Sequence, residues 1–472
     1  MTKNKYLLTE GPLFSKLLTF SLPIMLTGVL QAMYTLVGGI IVGQYSPDPY
    51  ALTAIGSTTY LIGLFTNALI GLSAGAGIVV ARLVGSGDKE RVSCATHTSM
   101  TFSLFVGLAI AIVSLLLSEP ILVWLGTTEE AFSGALLYFR LIMIGMPAVS
   151  VYNFGNSILR SVGDSKTPLY ILAVSGLINL LLSYLFVAVF GMSLDGVALA
   201  TIISQLISAV YVTLILFKRK NESYALRFRD MRMDRHSLSQ ILLFGIPAAI
   251  QSALFSLSNL IITNSINSLG SVAMSSMTVV EMIIQFPSVI VSAFTHSATT
   301  ILAQNLGAEN SERSRKTVFY SLIEMLMVSA AISLIVFLFS PWLLGVFMSD
   351  TTADRELVYA TSKSLMMWYV PTFVLCGVMD ILAGLLRGFG RAVVAMLVCL
   401  PSIIVPRILW ISFLFPLDAL HSLDGIYLCY PVSWAFCAVL LAVFLISTYK
   451  RNFPKKSLDC ESLRQSLGEK ND

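Results

Sequence analysis

The chain has 472 residues, of which 56% are hydrophobic and 12% are charged, with a formal net charge of +4. Soluble proteins carry roughly 25% charged residues, and so small a charged share cannot cover the water-facing surface of a chain of this length. The composition excludes a soluble enzyme, a nucleic-acid-binding protein and a disordered scaffold. It predicts a protein that crosses a membrane many times.

Twelve apolar runs are long enough to span a bilayer, since a transmembrane helix needs about 20 such residues. The sequence therefore predicts an all-α integral membrane protein with twelve transmembrane helices, some of them tilted or kinked because their runs are longer than a bilayer requires. The predicted spans are 13–43, 51–83, 92–117, 133–160, 168–190, 196–217, 238–267, 272–305, 316–345, 357–386, 392–415 and 425–449.

The positions of Lys and Arg predict how these spans are oriented. With the N-terminus in the cytoplasm, the cytoplasmic segments carry all of the 30 basic residues except Arg140, Arg355, Lys363 and Arg407. Basic residues concentrate in the cytoplasmic loops of membrane proteins. We therefore expect a multi-pass protein of a bacterial plasma membrane with both termini in the cytoplasm.

A basic stretch divides the spans into two sets of six. The predicted organisation is a cytoplasmic N-terminus (1–12), an N-lobe (13–217), a basic cytoplasmic linker (218–237), a C-lobe (238–449) and a cytoplasmic tail (450–472).

The two lobes also repeat in sequence at a nearly constant offset. Because each lobe has an even number of spans, both enter the membrane from the same side and the repeats are parallel. Internal repeats of this kind are typical of alternating-access transporters, with the substrate path between the lobes. The matching pairs of segments are 20–24 with 244–248, 81–85 with 303–307, and 159–163 with 386–390.

Three stretches of the sequence resemble signatures of one transporter family. They are Leu22-Pro23-Ile24-Met25-Leu26 in the first span, Gln304-Asn305-Leu306-Gly307-Ala308 after the eighth, and Leu386-Arg387-Gly388-Phe389-Gly390 after the tenth. Together they are similar to the multidrug and toxic compound extrusion (MATE) transporters, and the resemblance covers nearly the whole chain. It implies two six-helix lobes in a V shape that export drug-like, often cationic, molecules as H⁺ or Na⁺ enters.

The sequence departs from many bacterial members of that family in the N-lobe. Gly38 stands where such relatives carry an Asp in the first span, and Ser183 stands where an Asp follows the equivalent of Asn179. An N-lobe carboxylate therefore cannot be the coupling group in this chain.

Two acidic residues lie deep within C-lobe spans and are the predicted cation-coupling residues, Glu281 and Asp380. A charge at mid-membrane costs roughly 2.5–3.5 kcal/mol on insertion scales, so such residues are functional by default. As alternatives, Glu281 could pair with a polar neighbour and fix packing, and Asp380 could form a salt bridge with Arg407. We expect Glu324, nearer a helix end, to be solvated or interfacial.

The predicted substrate cavity combines polar and apolar side chains from both lobes, although such polar residues often serve only as interhelical hydrogen bonds. The candidates are Asn153, Asn156, Asn179, Tyr34, Met282, Gln285 and Arg407.

Four prolines occupy paired positions in the two repeats. Each is expected to interrupt its helix, because proline removes a backbone hydrogen bond. They are predicted either to fix curvature or to act as hinges. These prolines are Pro23, Pro147, Pro247 and Pro371.

The sequence thus predicts a secondary antiporter that exports amphipathic, cationic solutes by alternating access. Its expected partners are the solute, a coupling cation and membrane lipid, without nucleic acid, cofactor or metal site, and one chain suffices as a monomer. A carboxylate serves H⁺ and Na⁺ equally, so both are candidates. The alternatives are a flippase for a lipid-linked saccharide, which would need more basic residues in its cavity than Arg407, and an intramembrane enzyme built around His296.

Overall fold

The computed structural model describes residues 8–48, 50–124, 127, 129–348 and 354–454, so most of the predicted cytoplasmic tail and the first residues of the N-terminal segment lie outside it. The described part is all-α, and its helices are long and apolar. Eleven of them could each cross a membrane, and a bent pair supplies the twelfth span. The twelve predicted spans are confirmed.

The first half of the chain forms the N-lobe. Its helices are α1 (Leu13–Tyr45), α2 (Ala51–Ser86), α3 (Lys89–Trp124), α4 (Glu129–Ile144), α5 (Met146–Ser161), α6 (Lys166–Tyr184) and α7 (Leu194–Lys218).

The second half forms the C-lobe and is connected to the first by a linker with one short 3₁₀ turn (Phe228–Asp230). Its helices are α8 (Arg235–Asn267), α9 (Ser271–Gly307), α10 (Ser311–Phe347), α11 (Arg355–Gly388), α12 (Ala392–Leu409), the short α13 (Leu423–Tyr427) and α14 (Cys429–Asn452).

The four prolines behave differently from one another. Pro147 is the second residue of α5, which begins after Gly145, where the predicted span 133–160 is broken into α4 and α5 by a 45° bend. Helices α1, α8 and α11 continue through Pro23, Pro247 and Pro371. The prediction that every proline interrupts its helix is therefore wrong at these three positions, because membrane helices re-satisfy the freed carbonyl groups locally. The hinge role stays a prediction.

The internal repeat is visible in the backbone as well as in the sequence. α6 ends in a π-helical segment, Leu185–Val189, and its counterpart α12 ends in another, Trp410–Leu414. Gly163 follows α5 with φ of 92°, and Gly390 follows α11 with φ of 83°. Both glycines reverse the chain in the left-handed region, which is open to glycine at little cost.

The two lobes meet along an interlobe seam that we define as the contact of α1 and α2 with α8 and α9. The backbones come very close there. A Cβ atom at Gly71 of α2 would overlap the backbone of Ala249, and one at Gly75 would overlap that of Gly245, both in α8. Small residues commonly allow membrane helices to approach in this way.

Candidate functional site

The interlobe seam is closed along only part of its length. Gly71 and Gly75 touch α8, and the side-chain nitrogen of Asn67 donates a hydrogen bond to the hydroxyl of Ser256 in α8, at 3.3 Å. Gly63 and Gly56 continue the same side of α2 towards its start, yet no atom of the described residues lies within 4 Å of a Cβ built on either. The lobes therefore diverge beyond Asn67. We call this side the open end, and the opposite side, which carries most basic residues, the basic end.

A polar stripe on α9 borders the opening. Its members are spaced by three or four residues, which places them on one face of a helix, and all except the half-buried Ser288 are exposed. The adjacent Val289 packs against Gly28 of α1, so this face of α9 is turned towards the N-lobe. The polar stripe consists of Thr278, Glu281, Gln285, Ser288 and Ser292.

The two predicted coupling carboxylates lie at different depths along the C-lobe. Glu281 is exposed on the polar stripe, within electrostatic range of the buried Tyr369 of α11. Asp380 is half-buried on α11 and interacts with the hydroxyl of Ser292, the last residue of the stripe. Eleven residues separate Glu281 from Ser292 and Tyr369 from Asp380, which is about 16 Å of helix at 1.5 Å per residue. The two carboxylates therefore lie apart along the helices, with other residues of the stripe between them, and not in one site.

Arg407 is fixed within the C-lobe. It is 6% exposed and donates hydrogen bonds to Ser258, Asn259 and Ser433, at 3.1–3.3 Å. Its guanidinium also lies over the ring of Tyr430, 4.4 Å from the centroid. None of the ion pairs among the described residues joins Arg407 to Asp380, so the salt-bridge alternative for Asp380 is wrong. These contacts account for the buried charge of Arg407 within the protein itself.

The N-lobe candidates for the substrate cavity make most of their contacts inside their own lobe. The Tyr34 hydroxyl donates to the carbonyl of Ala173, and its ring covers Gly176. Asn179 donates to the Ser204 hydroxyl at 3.2 Å, and Asn153 donates to a carbonyl of its own helix. Asn156 is 5% exposed, and its side-chain oxygen has no hydrogen-bond partner in the described structure.

The C-lobe candidates belong to the α9 face. Gln285 is an exposed member of the polar stripe, and Met282 beside it is half-buried. The predicted cavity residues are therefore divided between the two lobes. Their contact with a substrate stays a prediction.

Glu324 differs from its prediction. We expected a solvated or interfacial side chain, but Glu324 is 1% exposed, and neither carboxylate oxygen has a hydrogen-bond partner in the described structure. The reason is that α10 packs against both α9 and α11, and this part of the helix faces them rather than the lipid.

Two hydrogen bonds close the seam at the basic end, and the internal repeat relates them. Arg82 at the end of α2 donates to the carbonyl of Gly388 in α11, at 2.9 Å. Gln304 at the end of α9 donates to the carbonyl of Ser161 in α5, at 2.5 Å. Arg82 corresponds to Gln304 and Ser161 to Gly388 in the repeat, so each lobe donates an equivalent side-chain hydrogen bond to a backbone carbonyl of the other.

Two glycines make the same reciprocal contact in the backbone. A Cβ atom on Gly85 would overlap the carbonyl oxygen of Gln304, and one on Gly307 would overlap that of Arg82. We call these two glycines and the two hydrogen bonds the basic-end seal. In the sequence, Gln304 and Gly388 stand out only as parts of family signatures, and their role in the seal was not predicted, although the matched positions of Arg82 and Gln304 in the repeat are a usable signal.

The start of the chain crosses the basic-end seal. The backbone N–H of Leu8 donates to the side-chain oxygen of Gln304, at 3.1 Å. Arg313 of α10 donates to the carbonyls of Leu8, Glu10 and Gly11, at 2.7–3.2 Å. Leu8 itself is buried against the C-lobe core. The N-terminal segment is thus held by the residue that also closes the seam.

The chain matches a known family in both halves. The MatE family model matches residues 23–185 and 247–410, one match in each lobe.

Similar proteins match over nearly their whole length. The chain is 27% identical to the probable multidrug resistance protein YoeA of Bacillus subtilis, over 92% of this chain and 93% of that relative. It is 23% identical to the multidrug export protein MepA of Staphylococcus aureus, over 93% of this chain and 96% of that relative. A crystal structure of MATE in complex with MaL6 superposes with a TM-score of 0.88 at 21% identity, over 96% of this chain and 99% of that one. The chain belongs to the MATE family of membrane transporters.

Proposed function

We propose that this chain is a secondary antiporter that exports amphipathic, cationic solutes in exchange for H⁺ or Na⁺. The names of its relatives, a multidrug resistance protein and a multidrug export protein, support drug-like solutes. The observation that carries the proposal is the exposed carboxylate of Glu281 on the polar stripe of an opening whose other end is sealed.

The distribution of basic residues supports the direction of transport. If the basic end faces the cytoplasm, as the positive-inside rule predicts, the opening faces outwards and the basic-end seal closes the cytoplasmic side. The structure then corresponds to the state that releases solute and accepts the cation.

The polar stripe supports a path for the cation. It runs from Glu281, in the opening, to Ser292 beside Asp380. A cation that enters from outside would meet Glu281 first. Asp380 lies within electrostatic range of Arg387 near the basic end, so neutralising Asp380 would change the field at the closed side of the seam. Loading would in this way favour the inward-facing state, because a ligand shifts a two-state equilibrium only by binding one state better.

Dye efflux from proteoliposomes under an imposed pH gradient or an imposed Na⁺ gradient tests this proposal. We expect the intact protein to expel a cationic dye under one gradient, which identifies the ion. Glu281→Gln and Asp380→Asn should each abolish gradient-driven efflux. The matched control is Glu356→Gln, which removes an exposed acid near the open end, outside the polar stripe, and should leave efflux unchanged.

If both carboxylate variants pump as the intact protein does, the coupling site lies elsewhere and the assignment of Glu281 and Asp380 is wrong. If the intact protein expels no cationic dye under either gradient, the antiport proposal itself is wrong.

The observations support the flippase alternative less well. A lipid-linked pyrophosphate would need basic groups in the opening, and Arg407 is instead buried among C-lobe partners. The enzyme alternative has even less support. The chain belongs to a family of transporters, and His296 lies within electrostatic range of Arg160 and Arg387 at the basic end.

A further inference from the structure

A groove lies on the outside of the N-lobe at the basic end, away from the seam. Its volume is about 780 Å³. Its wall is apolar and comes from α5, from the last turns of α7 and from the linker. The lining residues are Val151, Ala209, Val210, Thr213, Leu214, Phe217, Lys220, Leu226, Arg227 and Phe228.

Two cationic side chains at the linker end of the groove have no partner among the described residues. Lys220 and Arg227 are exposed and line the groove. Their side chains form no hydrogen bond or ion pair within the described part of the chain, and no acidic residue lines the groove. By contrast, the nearby Arg219 is paired with Asp164, at 2.6 Å. The groove therefore combines an apolar channel along a membrane helix with an unneutralised positive mouth.

The linker is folded onto the N-lobe, and backbone hydrogen bonds hold it beside the groove. The N–H of Arg227 donates to the side chain of His97 in α3, at 2.9 Å, and the N–H of Leu226 donates to the carbonyl of Leu216 in α7.

Two aromatic rings extend the wall of the groove towards the linker. Phe228 is 81% exposed, yet its ring stacks on that of Phe217 with centroids 4.3 Å apart.

From this groove we infer a binding site for one anionic phospholipid of the cytoplasmic leaflet. An acyl chain would lie along Val210 and Leu214, where the side chains are exposed to the bilayer. The phosphate would lie at Lys220 and Arg227, at the level where α7 ends. The positive charge at the mouth of the groove favours an anionic over a zwitterionic lipid, because each Lys or Arg near the membrane surface attracts anionic headgroups.

Native mass spectrometry of the full-length protein in detergent tests the site by titration with phosphatidylglycerol or with phosphatidylcholine of the same acyl chains. We expect one phosphatidylglycerol to bind at least tenfold more tightly than phosphatidylcholine. Lys220→Gln combined with Arg227→Gln should weaken phosphatidylglycerol binding roughly tenfold or more. The matched control, Lys218→Gln with Arg229→Gln, removes the same charge from the same linker outside the groove and should change binding less than twofold.

A second variant tests the apolar channel. Leu214→Trp leaves both cations in place and fills the groove, so it should also weaken phosphatidylglycerol binding. Inorganic phosphate at millimolar concentration should not displace the lipid, since it makes no contact with the channel.

The inference is overturned if phosphatidylcholine binds as tightly as phosphatidylglycerol, if the control variant loses as much affinity as the groove variant, or if inorganic phosphate displaces the lipid. Equal binding of phosphatidylglycerol by the intact protein and by both groove variants would overturn it as well.

Discussion

The two ends of the interlobe seam use the same helices in opposite ways. At the basic end, α2 and α9 cross at Gly85 and Gly307, and Arg82 and Gln304 each donate a hydrogen bond to the other lobe. At the open end, Gly56 and Gly63 of the same helix α2 contact no other described residue, and most of the polar stripe of α9 is exposed. The closed end is symmetric between the lobes, whereas the exposed carboxylate belongs to one lobe only. A few residues therefore close the seam, and the carboxylate that we propose for cation coupling lies outside that set.

The largest expected effect comes from adding a methyl group at the crossing. Gly85→Ala or Gly307→Ala would force a Cβ against a carbonyl oxygen that belongs to rigid backbone. Overpacking of this kind costs about 1–3 kcal/mol, which disfavours the sealed state roughly 5- to 150-fold. We expect dye export in proteoliposomes to fall by at least fivefold.

Gly56→Ala provides the control for these variants, because it makes the same change in α2 at a position where no described atom lies within 4 Å of the added Cβ. It should transport normally. If Gly85→Ala also transported normally, the backbone contact would not hold the seal and the comparison of the two ends would fail.

The reciprocal hydrogen bonds should contribute less, and unequally. Arg82→Ala removes a charged donor, for which the loss is about 1.5–3 kcal/mol, and Gln304→Ala removes a neutral one, worth about 0.5–1.5 kcal/mol. We therefore expect Arg82→Ala to slow dye export more than Gln304→Ala does. Arg91→Ala, whose side chain is exposed beside Asp88, should have no effect. A larger loss for Gln304→Ala than for Arg82→Ala would contradict this ranking.

The smallest effect is expected at the N-terminal segment. Arg313→Ala removes three hydrogen bonds to carbonyls of residues 8–11. The segment should be released, so a protease added from the cytoplasmic side should remove an N-terminal tag several times faster, while export changes less than twofold. Arg315→Ala, which instead takes away a guanidinium over Phe453, should leave cleavage unchanged. Unchanged cleavage in Arg313→Ala would contradict the contact.

Composition, the lengths of the apolar runs and the positions of the basic residues were sufficient to predict twelve spans in two sets of six, and the family resemblance implied their V shape. Apolar runs with basic cytoplasmic segments define spans because the bilayer imposes length and charge locally. The helix break beside Pro147 was predicted, but the sequence does not show which of the four prolines breaks its helix, since that depends on packing. The same limit explains why Pro23, Pro247 and Pro371 do not end their helices.

The candidate site was less predictable because its geometry depends on packing between distant helices. Glu281 and Asp380 were found as acids in apolar spans, but their separation follows from how α9 and α11 align. Arg407 was predicted to line the cavity, but the sequence does not reveal the hydroxyl and amide partners on other helices that hold it within the C-lobe. The hydrogen bond of Arg82 could not be predicted from the sequence because its acceptor, the carbonyl of Gly388, is a backbone group.

Spin-label distances measured at both ends of the seam test the central claim most directly. One pair of labels, at Ser86 and Glu309, spans the basic end, and the other, at Gln44 and Ser268, spans the open end; all four residues are exposed. When the concentration of the coupling ion is raised, we expect the basic-end distance to lengthen and the open-end distance to shorten in the same fraction of molecules. A basic-end distance that stays constant while the protein exports dye would contradict the account.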